Sequence, residues 1–288
     1  MDDPARVSHL LLEAATSLAR TTRARSIVAY VDALPDLEAL PPNMVLVVRN
    51  DAQRDVAERF GESAMAIIDV PEVTLDRFGQ VKLAAIIGLS SGIIDLGETV
   101  IFLAGPFCSS IDSLVVMSLG AEYELFDTTE QPSIDEHIKR AVFHRVLSLS
   151  LHLGQHGREG KRTGALLVVG DARHVVEHAE QMILNPFKGY DEKHRNILDQ
   201  TMTETVKEYS SLDGAFIIRG NGVVETAGAR IKVGLSEGLP SGLGARHAAA
   251  AGITANTKSI ALTVSESDGT VRVWRAGRLV ASFETSAR

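Results

Sequence analysis

The chain has a single cysteine, Cys108, among 288 residues, and aromatic residues make up only 5% of it, with one tryptophan. One thiol closes no internal disulfide and supplies no thiolate zinc cluster, which excludes a disulfide scaffold and a zinc finger. No apolar run approaches the roughly 18 residues of a membrane-spanning helix; the longer ones, such as 99–105, suit a buried strand. The first residues, MDDPARVSHLLLEAA, start acidic and lack the basic n-region of a signal peptide. The expectation is a cytoplasmic protein with no membrane partner. The chain also lacks a GxxxxGK[ST] phosphate loop, a complete GxGxxG fingerprint after Gly220 and Gly222, and a GxSxG nucleophile elbow. What is present, 45% hydrophobic and 23% charged residues, is ordinary globular composition, which excludes disorder and fibrous repeats. At about 150 residues per domain the length predicts two domains.

Charge is unevenly spread. The net charge of −8 divides into −11 over residues 1–130 and +3 over residues 131–288, and eight of the nine histidines lie in the second part. The overall acidity argues against nonspecific nucleic-acid binding, while leaving room for an anionic small ligand in the second half.

The first half alternates helical and strand patterns. Apolar residues at Val7, Leu10, Leu11, Ala14 and Leu18 give helical spacing over 5–22. Strand runs follow at 26–31, 44–48, 64–70, 99–103 and 123–126, separated by helical stretches at 52–60, 75–94 and 109–119. Such alternation predicts a parallel α/β sheet. The segment FDTTEQPS (126–133) reads as a boundary, with Ser133 and Glu136 forming a capping box for a helix over 134–153. Beyond it, 164–170 reads as a strand. Asp171 then caps a helix running to about 184, and a loop at 185–190 precedes a helix to about 209. Strands follow at 215–219, 223–227, 259–264, 271–275 and 279–283, with hairpin turns at 220–222 and 267–269 and a helix over 242–251.

Several motifs carry chemistry. HVVEH (174–178) matches the HxxEH pattern of inverted zinc proteases, with His174, Glu177 and His178 as the ligand and base set. No third ligand stands out, and the plainer reading of the same helix is an ordinary core stripe with a solvated or satisfied histidine pair. His152 and His156 share the spacing without a partner carboxylate. A different pair is more informative. Ser211-Leu212-Asp213-Gly214-Ala215 places a carboxylate and a glycine at the mouth of an apolar strand, where a divalent metal can be held. Gly242-Leu243-Gly244-Ala245-Arg246-His247-Ala248-Ala249-Ala250 leads glycines into a helix start, with two potentially cationic groups opposing the dipole, an arrangement that makes sense around an anion. Together they are equipment for metal-assisted phosphoryl or nucleotidyl transfer. The plainer alternative is a capped alanine-packed helix beside a tight turn.

In this order and about 30 residues apart, the two motifs resemble the diadenylate cyclase family, the catalytic module of the bacterial DNA-integrity-scanning protein and its membrane-bound and archaeal relatives. Asp213-Gly214-Ala215 matches its D-G-A, and Arg246-His247-Ala248 stands at its R-H-R. DGAFIIRGNGVVETAGARI, GLPSGLGARHAAAAGI and SIALTVSESDGTVRVWRAGRL are similar to the flanking elements, and 160–171 to the module's first strand, so the likeness runs from about 134 to 285. Three positions depart from the pattern: Ala248 for the second arginine, Ala245 where threonine is common, and Ala249 where a hydroxyl is frequent. Arg230 is a candidate to compensate for the lost basic contact.

The resemblance implies condensation of two ATP into cyclic di-AMP with release of two pyrophosphates, in a homo-oligomer whose catalytic halves meet face to face. It implies Asp213 as ligand for Mg²⁺ or Mn²⁺ and activator of the 3′-hydroxyl. Gly214 and Ala215 would lie beside ribose and base, and Arg230 and Ile231 beside the adenine. Arg246, His247, Ser265 with its neighbour Glu266, and the backbone of Gly244, Ala245, Ala248 and Ala249 would hold the phosphates. Residues 1–129 resemble, more weakly, the C-terminal α/β domain of pyruvate kinase, with oligomerisation, effector sensing or simple packing as its task. The fold expected is therefore α/β: a parallel-sheet α/β domain (1–129) followed by a mixed-sheet α/β cyclase domain (134–288). A degenerate cyclase that only senses ATP or cyclic di-AMP, and a zinc hydrolase built on His174, Glu177 and His178, are the competing readings.

Overall fold

A computed structural model describes residues 3–37, 40–59, 64–120, 137–233 and 244–285. The chain forms two compact units, Met1–Gln131 and Pro132–Arg288.

The first unit runs α1 (Pro4–Thr22), β1 (Ser26–Tyr30), β2 (Met44–Val48), α2 (Asp51–Arg59), β3 (Ala66–Asp69), α3 (Arg77–Ser91), β4 (Thr99–Ala104) and β5 (Ser113–Ser118). The sheet order is β3-β2-β1-β4-β5. β1, β2, β3 and β4 pair in parallel, and every residue of β1 and β2 is buried, as a sheet covered on both faces requires. Two helix starts are capped by side chains: the Asp3 carboxylate accepts from Ala5 N at α1, and that of Asp76 from Gly79 N at α3.

Two expectations change here. Residues 109–119 are not a helix: 113–118 form β5, antiparallel to β4 over Thr99↔Ser118 to Ala104↔Ser113. The spacing of Ile111, Leu114 and Val115 is compatible with either state, and the β-branched pair Val115-Val116 together with the free edge of β4 decide for strand. The sheet is thus not wholly parallel. The strand read at 123–126, the FDTTEQPS boundary and the Ser133–Glu136 capping box lie outside the described residues.

The second unit runs α4 (Arg140–His156), β6 (Ala165–Val169), α5 (Ala172–Glu177), β7 (Ala179–Gln181), a 3-10 turn (Glu192–Arg195), α6 (Met202–Tyr209), β8 (Ala215–Ile218), β9 (Val224–Ile231), α7 (Ala245–Asn256), β10 (Ile260–Val264), β11 (Val271–Arg275) and β12 (Arg278–Phe283). Its sheet has seven strands in the order β12-β11-β10-β6-β8-β9-β7. β6 and β8 are parallel, and the other pairings are antiparallel, which makes the sheet mixed. One face packs Leu166, Val168, Ala215, Ile217 and Trp274 against Ala250, Ala251 and Ile253 of α7. The alanines let α7 lie close to the strands. α4 meets β6, β10 and β11.

Three helices are shorter than the sequence pattern suggests. α4 is observed from Arg140 rather than 134. The helix after Asp171 ends at Glu177, because residues 179–181 pair with Ala229–Ile231 and satisfy the otherwise open edge of β9. The Asp171 side chain does not cap α5; it meets the His174 ring and the Lys258 N–H instead. Of the helix expected to reach 209, only the 3-10 turn and α6 form.

Trp274 is 1% exposed and donates from Nε1 to Thr263 Oγ1 at 3.0 Å. Thr263→Val should leave that donor unsatisfied and lower the stability of the second unit by about 1–3 kcal/mol. Since Trp274 is the sole tryptophan, denaturant unfolding followed by its fluorescence reads this unit alone; an unchanged midpoint would refute the prediction.

Candidate active site

Four loops and strand ends converge on one cleft of about 690 Å³ in the second unit. The turn before β8 brings Asp213, Gly214 and Ala215. The start of α7 brings Gly244, Ala245, Arg246, His247 and Ala249. The turn between β10 and β11 brings Ser265, Glu266 and Asp268, and β11 adds Arg272. The end of β9 adds Arg230 and Ile231, facing Met182 and Leu166. Of the residues singled out from sequence, Ala248 is not among those lining the cleft, and Gly242 and Leu243 lie outside the described residues.

Local chemistry explains the geometry. Gly214 has φ +106°, and a Cβ there would stand 2.7 Å from the backbone of Gly228 and Ala229, so only glycine lets β8 begin so close to β9. α7 starts at Gly244 without a side-chain cap. Its first turn therefore presents backbone N–H groups and the positive end of the dipole. Arg246 reaches two carboxylates, with Nη2 to Asp213 Oδ1 at 3.4 Å and Nη1 to Glu266 Oε2 at 3.3 Å. Gly164 makes room for it, since a Cβ there would sit 2.5 Å from Arg246 Nη1. The Asp213 carboxylate is 84% exposed and accessible to a ligand.

His247 differs from its expected role. It is 8% exposed, and burial, then Arg272, push its pKa down to about 4. It is therefore a neutral imidazole and not a second cation at the helix start. Arg272 Nη1 lies 3.2 Å from His247 Nε2. A guanidinium only donates, which assigns the ring proton to Nδ1, an atom that is buried and has no partner among the described residues. Asp268 is held at about 2: burial raises it, but hydrogen bonds from Ser265 and Thr270 and the charge of Arg272 outweigh that. Arg230 is already paired, 2.7 Å from Glu180 across the β9–β7 ladder.

Gly164, Met182, Asp268 and Arg272 escape a motif reading. The signal available for Arg272 is its place between Val271 and Val273, which are buried, while Arg272 reaches the cleft.

HVVEH does not assemble a metal centre. α5 ends at Glu177, so His174 and His178 do not share a continuing helix face. The His174 ring meets the Asp171 carboxylate, and His178 Nδ1 lies 2.9 Å from the His174 carbonyl oxygen. Among the described residues no group of three or more His, Cys, Asp or Glu is placed to hold a metal ion.

An α/β cleft of this volume, with a helix start and a guanidinium on one wall and apolar side chains on another, suits a small ligand with an anionic end. The family described as DisA bacterial checkpoint controller nucleotide-binding matches residues 152–279. The chain is 43% identical over 166 residues to a diadenylate cyclase of Methanocaldococcus jannaschii, covering 58% of this chain and 50% of that protein, so it spans about half that relative's length. It is 29% identical over 250 residues to a diadenylate cyclase of Haloferax volcanii, covering 85% of this chain and 86% of that protein. Among solved structures, DacA of Staphylococcus aureus is 24% identical with a TM-score of 0.36, over 50% of this chain and 87% of that one. The family match falls within the second unit, which is similar to proteins named diadenylate cyclase. No helix among the described residues is long and apolar enough to cross a membrane.

The His247 ring should titrate near pH 4 in the folded protein, against about 6.5 in an unfolded chain. Between those values the unfolded state binds the proton and the folded state does not, so this contribution to stability falls as pH drops through the window. Arg272→Gln should move the titration upward. Ring-proton NMR against pH checks both; a wild-type ring titrating near 6.5 would contradict them.

Proposed function

We propose that the chain condenses two ATP molecules into cyclic di-AMP and two pyrophosphates. One observation carries this reading: a single cleft gathers Asp213, Arg246, His247, Ser265 and Glu266 in a chain that is 43% identical over 166 residues to a protein named diadenylate cyclase. One cleft holds one ATP, so the second nucleotide comes from a facing copy in a homodimeric arrangement. Each 3′-hydroxyl oxygen bonds the α-phosphorus of the opposite nucleotide. The bond from that phosphorus to the bridging oxygen breaks, pyrophosphate leaves with the electron pair, and the hydroxyl proton passes to water by way of the exposed Asp213 carboxylate.

The apolar wall of Met182, Ala229 and Ile231 seats base and ribose, with Glu180 holding Arg230 at the rim. Arg246 and the first-turn N–H groups of α7 balance phosphate charge. Neutral His247 acts by position, as the acceptor that fixes Arg272, rather than by charge. Asp213, with Glu266 across Arg246, would hold a divalent cation, Mg²⁺ or Mn²⁺. Such ions take one or two protein carboxylates and complete their shell from substrate phosphates, which suits a site without a dedicated cluster of ligands. When bound, the cation supplies charge neutralisation at the α-phosphate and acidifies the attacking hydroxyl. Ala248 is not among the residues that line the cleft. We assign the first unit an accessory role in oligomerisation or effector sensing, and the reaction to the cytoplasm, where ATP is at hand.

With ATP and Mn²⁺, chromatography should show cyclic di-AMP from the full chain, and Asp213→Asn should cut its formation by about a hundredfold or more; an Asp213→Asn protein with full activity removes Asp213 from the mechanism. Gly164→Ala should displace Arg246, a flexible side-chain end, and raise the KM for ATP about tenfold, roughly 1.4 kcal/mol of binding, while the melting temperature barely moves. A large loss of melting temperature with unchanged KM would show instead that Gly164 serves only packing.

A further inference from the structure

Beside the cleft lies a second recess of about 410 Å³ that shares Asp213, Arg246 and Glu266 with it. Its remaining walls come from residues 158–164, ahead of β6, and from Ser210 and Ser211, ahead of β8. Four cations line it, Arg158, Lys161, Arg162 and Arg246, against three carboxylates, Glu159, Asp213 and Glu266. Two of those carboxylates already face Arg246, and the third, Glu159, is 82% exposed and lies 3.9 Å from Arg158, which leaves Lys161 and Arg162 as the cations facing no carboxylate of the recess. Three hydroxyls, Thr163, Ser210 and Ser211, complete it, and no apolar side chain lines it. The recess therefore offers nothing on which a base could stack and much that a compact polyanion could bind.

The cations are held by the fold rather than left loose. Arg158 and Lys161 exchange backbone N–H···O bonds of 2.8 Å, closing a tight turn. Arg158 reaches Glu208 at 2.6 Å and Ser211 Oγ at 3.2 Å, and its Nε is buried without an acceptor among the described residues. Arg162 donates to the Ser267 carbonyl oxygen at 2.6 Å, which ties this lip to the β10–β11 turn. The exposed Lys161 ammonium is in no ion pair among the described residues. Arg246 stands between the two spaces, in the room that Gly164 leaves.

We propose that the recess is a polyphosphate subsite. It takes the terminal phosphates of the nucleotide seated in the cleft, and retains pyrophosphate after the bond at the α-phosphorus breaks. The assignment rests on the proposed cyclase reading, which puts a triphosphate in the cleft and makes pyrophosphate the leaving group. Lys161, Arg162 and Arg158 then recognise charge that cyclic di-AMP does not carry.

The test is calorimetric titration of the full chain with inorganic pyrophosphate and, separately, with cyclic di-AMP, in the same Mg²⁺ buffer. Lys161→Ala and the Lys161→Ala/Arg162→Ala pair should each weaken pyrophosphate binding, the pair about tenfold or more, and leave cyclic di-AMP affinity within about twofold. Lys161→Ala alone keeps the Arg162–Ser267 tie, which guards against a folding artefact. Wild-type protein that does not bind pyrophosphate, variants that bind it as tightly as wild type, or equal loss for both ligands would each overturn the subsite. Failure of the cyclase reading shows separately, as absence of cyclic di-AMP from ATP whatever the pyrophosphate titrations give.

Discussion

The second unit turns on one guanidinium held between two carboxylates. Arg246 lies at the start of α7, where the dipole disfavours a cation by about 0.3–1 kcal/mol, and the contacts to Asp213 and Glu266 offset that. Those contacts are long, 3.3 and 3.4 Å, and both carboxylates are largely exposed. Ion pairs of this kind contribute about 0–1 kcal/mol to stability, so Arg246 is held in position without being bound tightly. A phosphate can replace the carboxylates around it at little cost. Its position in turn depends on a missing side chain, since any Cβ at residue 164 would occupy its place.

Around this cation the electrostatics are graded by burial. His247, one position on, is driven neutral by burial and by Arg272, so α7 does not carry two adjacent charges against its dipole. The charge of Arg272 in turn helps hold Asp268 ionised. Such an arrangement concentrates positive charge at Arg246 and the helix start, and continues it into the recess of Arg158, Lys161 and Arg162. The acidic surplus of the chain, −11 over residues 1–130, belongs to the first unit.

Much of the scaffold was legible from sequence because strongly patterned segments leave little choice. The buried runs at 26–31, 44–48 and 99–103 became β1, β2 and β4, and the Gly220-Asn221-Gly222 and Ser267-Asp268-Gly269 turns join the strands they were read to join. Reading failed where a segment's state was set by a neighbour's open edge. Residues 113–118 are strand because β4 lacked a partner on that side, and 179–181 because β9 did. An edge in need of hydrogen bonds is a property of the assembled sheet, and no local periodicity encodes it.

The sequence by itself determined the order of the chemical groups: a carboxylate and glycine ahead of an apolar strand, then an arginine and histidine in a glycine-led helix start. These are local patterns of residue type and spacing, and they survive without coordinates. Only the tertiary structure decided their states and their company. That His247 is neutral, that Gly164 makes room for Arg246, and that Arg272 joins the site all follow from burial and from contacts between residues from about 25 to 100 positions apart. Charge depends on solvent exposure and on neighbours in space, and both exist only once the sheet has brought its loops together.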